Sequence, residues 1–275
     1  MASLESTLAY LSGEYQPTRD QCLMTFDDGL KEHYADVTPI LIEEGIQGLF
    51  FVITSCLEEK AVASVHMSHF LTAHLGFAEY RRRFTERLAA LEAAKNIARG
   101  AFQSTAAHTY PLDTTEVAEF KYLFNFLLPF ETRDEIVRSL FVEHLGSESA
   151  FANELYVTWK EAREMQAAGM IIGGHTHRHL PLAKQSGPEM QRDLQQSRSL
   201  MNQQLAQQPM WPFSYPYGKR DSYNDTTVDV LKSLGFCCSF TTEAGNNFPG
   251  HELFSVHRLD GQHDPAFRTA AQSRN

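Results

Sequence analysis

The chain is poor in the features that mark several large classes of protein. Nowhere do eighteen apolar residues follow one another, and the stretch Met1 to Pro17 has no basic region leading into a long apolar core. A membrane span and a secretory leader are therefore not expected, and the sequence reads as cytoplasmic. Positive charge is in deficit: 24 Lys and Arg against 34 Asp and Glu give a formal charge of −10. Such a surface repels phosphate backbones and anionic lipid, which argues against nucleic acid and membrane partners. Cysteine is scarce, with Cys22, Cys56, Cys237 and Cys238 showing no paired CxxC spacing. They read as buried or idle thiols, with Cys22 and Cys238 inside apolar strand-like runs.

What is present is an alternation of apolar runs and amphipathic segments. With 275 residues, 43% of them hydrophobic, the chain can build one sizeable α/β domain. Cys22 to Phe26 reads as a buried strand that ends abruptly in Asp27, Asp28 and Gly29. Lys31 to Glu44 has helical spacing and Gly45 as its stop, and Ile46 to Thr54 reads as a second buried strand. Strand, helix and strand without a hairpin turn argue for a parallel βαβ unit.

Residues 57–155 then change to amphipathic helical texture, with segments at Phe77 to Ala101, Thr114 to Leu128 and Arg133 to Leu145. This reads as a helical insertion within a single domain spanning 1–275, either capping a site or forming a homo-oligomer surface. The α/β rhythm resumes with a helix Thr158 to Ala168 and a strand Met170 to Gly173 that runs into Gly174-His-Thr-His-Arg-His179. A helix at Pro188 to Gln207, a strand Trp211 to Tyr215, a helix Thr226 to Leu234 and strands Phe236 to Thr242 and Leu253 to Leu259 follow. The tail after Asp264 reads as frayed.

Two strand ends carry the candidate chemistry. Successive side chains on a strand face opposite ways, so Asp27 and Asp28 are suited to different tasks. His175 and His179 are four apart, a spacing that lets both imidazoles face one metal. Together with Asp28 they make three protein ligands and leave positions open for water and substrate, as in a catalytic site. Taken singly, each motif has an ordinary reading: HTHRH as a solvated loop, Asp27 and Asp28 as a turn or helix cap. Their joint occurrence at the ends of buried strands speaks against both.

Thr25-Phe-Asp-Asp-Gly29 and His175-Thr-His-Arg-His179 resemble the first two motifs of the polysaccharide deacetylase family, the NodB-homology carbohydrate esterases. Phe213-Ser-Tyr-Pro-Tyr-Gly218 is similar to that family's third motif, R-x-P-Y or the variant FAYPYG. The resemblance covers about Cys22 to Thr54 and Trp159 to Asp260, with the helical insertion outside it. It implies an α/β fold, a distorted (β/α) barrel, and metal-dependent removal of acetyl from an acetylated amino sugar. By motif position, Asp28, His175 and His179 would hold a divalent metal, usually zinc, with cobalt, nickel and manganese as alternatives. Asp27 would be the general base, and the backbone N–H of Tyr217 an oxyanion donor, with packing as the ordinary reading of Tyr215 and Tyr217.

Two departures stand out. Ser214 occupies the place of the arginine that, in R-x-P-Y members, holds the base, so Asp27 needs another partner or has a raised pKa. The general acid of the last motif has its nearest counterpart in His257, within Val256-His-Arg-Leu-Asp260, where an ordinary strand-end histidine is the competing reading. His66, His69 and His74 suggest a second metal site less well than they suggest solvated or core histidines. Glu243 reads as a loop acid or a sugar-hydroxyl partner, and His177 as facing solvent or supporting the ligands. The leading expectation is an amino-sugar deacetylase acting on a precursor or unit of a surface polysaccharide. Its rivals are a deformylase or other C–N hydrolase, and a degenerate barrel that only binds saccharide.

Overall fold

The structure is a computed structural model that describes residues 1–91 and 102–261. It divides into two compact units, Met1–Glu58 with Leu155–Asn275, and Glu59–Glu154.

The first unit is built on five parallel strands in the order β1 (Met24–Phe26), β2 (Gly48–Val52), β3 (Ile171–Gly174), β4 (Pro212–Ser214) and β5 (Cys238–Phe240). Neighbours in sequence are neighbours in the sheet, and every pairing is parallel, with helices in the crossovers. The sheet curls into an open half of a distorted (β/α) barrel. All five residues of β2 are buried, which explains its unbroken apolar run Gly-Leu-Phe-Phe-Val: both of its faces are covered. Packing is very close at Gly173, where an added Cβ would come within 2.5 Å of the Phe51 ring and 2.7 Å of the Pro212 carbonyl. No side chain fits there, and that lets β3 sit tightly against both neighbours.

The amino-terminal helix Leu4–Leu11 is fixed by a capping box between Ser3 and Ser6. It buries Leu4 and Leu11 against Leu49, Phe51, Cys238, Phe240 and Val256, a cluster drawn from β2, β5 and the chain beyond β5. The Phe51 and Phe240 rings meet at 5.5 Å. This apolar packing ties the helix to β2 and β5.

Several expected elements are shorter or interrupted. The helix expected over Lys31 to Glu44 is a π-helical turn, His33–Val37, followed by an α-helix, Thr38–Glu43. The strand expected at Leu253 to Leu259 is reduced to one bridge, Phe240 with Val256. Ser239 N–H donates to the Leu253 carbonyl and Val256 N–H to the Ser239 carbonyl, so Phe254 and Ser255 bulge out of a ladder that a turn at Glu252–Ser255 has broken. Cys22 is exposed rather than set within a strand, whereas Cys56 and Cys238 are buried.

The second unit is helical. Its described segments include Ser64–Leu75, Phe77–Ala90, Thr115–Tyr122 and Phe130–Leu145. The rings of Tyr80, Phe84, Phe120 and Phe124 interlock edge to face or tilted, at 5.4–6.1 Å. The Arg133 side chain is 1% exposed, its charge met by Asp134 at 2.7 Å and by the faces of Phe124 and Phe130. The expected helix Phe77 to Ala101 is seen as far as Ala90; its remaining part, like the tail after Asp264, lies outside the described residues. No helix among the described residues is long and apolar enough to cross a membrane.

Candidate active site at the carboxyl ends of the strands

Asp27 and Asp28 leave β1, His175 leaves β3, and Tyr215 leaves β4, so the motif residues collect at one end of the sheet. Five described residues other than glycine have positive φ, and four of them belong to these motifs: Asp28, Thr176, His179 and Tyr217. The left-handed region is unfavourable for side chains of these types, and such residues cluster where function requires a particular backbone path.

Asp28 turns one carboxylate oxygen toward both expected partner histidines. Its Oδ1 lies 3.4 Å from His175 Nε2 and 3.4 Å from His179 Nε2. One donor atom from each residue falls within 4.8 Å of the others, the only such group of three among the described residues. The spacing suits a metal: bonds of about 2.1 Å at tetrahedral angles put neighbouring ligand atoms roughly 3.4 Å apart. The donor set of two imidazoles and one carboxylate fits zinc or a similar divalent ion.

The tautomer of His175 is fixed by its surroundings. Nδ1 lies 2.7 Å from the Ser214 carbonyl, which can only accept, so Nδ1 carries a proton and Nε2 is the nitrogen that faces Asp28. Burial works to hold His175 neutral, but the Asp27 and Asp28 carboxylates outweigh it and raise its pKa. The pocket thus holds more negative charge than its side chains neutralise, as a cation site should.

Asp27 faces a different environment. Arg258 Nη1 and Nη2 donate to its two oxygens at 2.8 Å each, a bidentate pair, and Ser214 Oγ donates to Oδ2 at 3.2 Å. Arg258 is held in turn by the Thr241 carbonyl, 2.7 Å from Nε, at the end of β5. Burial would raise the pKa of Asp27, yet Arg258 and then His175 outweigh it and keep the carboxyl below its ordinary value. Of the two alternatives left open by Ser214, the structure has the first: Asp27 has another partner, and its pKa is not raised.

Tyr217 lies on a loop pinned to the end of β5. Thr242 N–H donates to the Gly218 carbonyl, and Thr242 Oγ1 to the Tyr217 carbonyl. A Cβ on Gly218, at φ +60°, would meet Thr242 N at 2.5 Å, so only glycine fits. The Tyr217 ring lies 5.2 Å from that of His179.

His257 is placed differently from the other candidates. Its backbone is bracketed by the Asn247 side chain, and its ring packs at 4.5 Å against His251 and over Gly245. Its described surroundings are thus the loop after β5, while its neighbour Arg258 reaches Asp27. Burial and His251 lower its pKa, with Glu243 opposing.

Sequence reasoning missed Arg258, Asp193 and His33. Arg258 stood inside a segment already singled out for His257. Asp193 accepts the N–H groups of His177 and Arg178 from a helix with no motif to mark it. His33 lies tilted against the stacked rings of Phe26 and Phe50, at 5.6 and 5.7 Å, where burial lowers its pKa against the opposing pull of Asp28 and Asp27. His177 is buried, with Nδ1 3.0 Å from Thr54 Oγ1, and does not face solvent.

Comparison with known proteins followed the same lines. The polysaccharide deacetylase family model matches residues 14–238. A curated relative, the putative polysaccharide deacetylase YxkH of Bacillus subtilis (strain 168), is 28% identical over 104 residues, 38% of this chain and 36% of that protein. The match therefore spans little more than a third of the relative's length. The Streptococcus pyogenes deacetylase PplD, solved in complex with acetate, is 19% identical with a TM-score of 0.54, covering 94% of this chain and 72% of that one. IcaB from Ammonifex degensii is 18% identical with a TM-score of 0.54, covering 98% and 80%. These structural likenesses bear on the fold, and the family model spans most of the sequence: the chain belongs to the polysaccharide deacetylase family.

Proposed function

We propose that this protein is a metal-dependent hydrolase that removes the N-acetyl group from an acetamido sugar, in a surface polysaccharide or a precursor of one. The observation that carries the reading is Asp28 Oδ1 standing 3.4 Å from two imidazole nitrogens, with the Asp27–Arg258 pair beside it. Family membership and the deacetylase named in each of two relatives support it.

Asp28, His175 and His179 would hold the ion. A divalent cation there supplies Lewis-acid polarisation of the amide carbonyl and a water of lowered pKa. Asp27, kept ionised by Arg258, takes a proton from the attacking water as the carbon–oxygen bond forms. The backbone N–H of Tyr217 would donate to the oxygen that gains charge. When the carbon–nitrogen bond breaks, the leaving amine takes a proton from a general acid, for which His257 is the candidate. Acetate and a free amino sugar result.

The protein loaded with zinc or cobalt is expected to release acetate from at least one of a panel of acetylated amino sugars. Asp27→Asn is expected to lower turnover by about 10²-fold or more while the bound metal is unchanged. Formate or ammonia as product would instead identify a different C–N hydrolase, and saccharide binding without any hydrolysis would leave only a binding barrel.

A further inference from the structure

The segment His175–His179 has an unusual backbone, with Thr176 at φ 65° and His179 at φ 55°. A path of this kind persists only where its surroundings fix it. Several of its polar backbone groups have partners in other parts of the first unit. His175 N–H donates to the Val52 carbonyl, and the carbonyls of Thr176 and His177 accept from Thr54 and Ser55 N–H. His179 N–H donates to Thr176 Oγ1 at 2.8 Å.

Two further N–H groups, of His177 and Arg178, go to a single side chain. Asp193 Oδ1 accepts from His177 at 2.8 Å and Oδ2 from Arg178 at 3.1 Å. Asp193 lies on the helix Gly187–Gln204 and is 6% exposed. Burial pushes the Asp193 carboxyl above its ordinary pKa, and the hydrogen bonds from two consecutive backbone amides oppose that rise. That arrangement needs two acceptor atoms held in one plane. An asparagine of the same shape offers one acceptor and one donor, and sets its NH₂ against one of the amides.

We propose that Asp193 is a positioning residue for the metal centre: its carboxylate clamps the loop between His175 and His179 and so presets both imidazoles before any ion arrives. This rests on the reading of those histidines as ligands. The clamp touches neither imidazole, and His177, which projects from the clamped peptide, is anchored separately at Thr54. Partners at this remove from a metal ligand commonly change affinity by about 10–100-fold.

The test compares wild type, Asp193→Asn and Leu194→Ala. Leu194 is the fully buried neighbour on the same helix, so its truncation costs packing without touching the loop. Zinc affinity is read by competition with a chromophoric chelator, alongside the metal-free melting temperature. Asp193→Asn is expected to weaken zinc binding by about 10–100-fold, while Leu194→Ala lowers melting but leaves affinity unchanged. An unchanged affinity in Asp193→Asn, or an equal loss in both variants at equal melting temperature, overturns the proposal. Hydrogen exchange of the metal-free wild type needs no variant to fold. The amides of His177 and Arg178 should be as protected as those of β3, and exchange at free-chain rates would also overturn it. If wild type binds no zinc, the ligand reading fails by itself and the exchange result still decides the clamp.

Discussion

Two groups of closely spaced histidines occur in this chain, and the structure treats them in opposite ways. His175 and His179 are 2% and 8% exposed, their rings 4.8 Å apart and their Nε2 atoms on one Asp28 oxygen. His66 and His69 lie on the helix Ser64–Leu75 with rings 6.3 Å apart, the first half-buried and the second exposed, and His74 at its far end is exposed. Similar spacing therefore yields a candidate centre in one place and surface chemistry in the other. The difference lies in what surrounds the rings: a strand end, a carboxylate from another strand, and acceptors that fix ring and backbone. A helix face supplies the spacing alone.

The largest effect expected from this contrast is in metal content. Replacing His175 and His179 together by Ala should take bound zinc from about one per chain to near none, whereas replacing His66 and His69 should leave it unchanged. Elemental analysis of the purified proteins checks this, and loss of metal from the second pair would erase the distinction.

A smaller effect concerns Asp27, the proposed base. Arg258 holds Asp27 below its ordinary pKa against the opposing influence of burial. Without the guanidinium, burial prevails, the pKa rises, and Asp27 stays protonated up to a higher pH. Arg258→Met should accordingly reduce kcat and move the acid limb of the pH profile upward. A limb that stays in place would remove Asp27 from the role of base.

The smallest effect is expected at His257. His251 helps to lower its pKa, so His251→Ala should raise it. If His257 protonates the leaving amine, the alkaline limb of the profile then moves to higher pH. An alkaline limb that persists in His257→Gln would assign that proton to another group.

What could be read from the sequence was what a single segment carries. β2 announced itself because five consecutive buried residues need no partner pattern to be recognised. The three motifs did so because each compresses strand end, turn and polar side chain into a few residues. Arg258 escaped because its meaning depends on Asp27, 231 positions away, and on a Ser214 that gives that carboxylate one hydroxyl donor and no charge. Asp193 escaped because a carboxylate on a polar helix looks solvated until the loop beneath it is known. The apolar spacing of Leu253 to Leu259 suggested a strand, but the local turn at Glu252–Ser255 took the hydrogen bonds that a ladder would have used.

The pair Asp27–Arg258 joins the first strand of the sheet to the chain beyond the last. A copy of this protein still emerging from the ribosome carries the aspartates, the histidines and the Tyr-Pro-Tyr turn long before the guanidinium appears. Asp27 therefore gains this guanidinium only after all three motifs have been made, and a chain ending before residue 258 would carry every motif yet leave Asp27 without it.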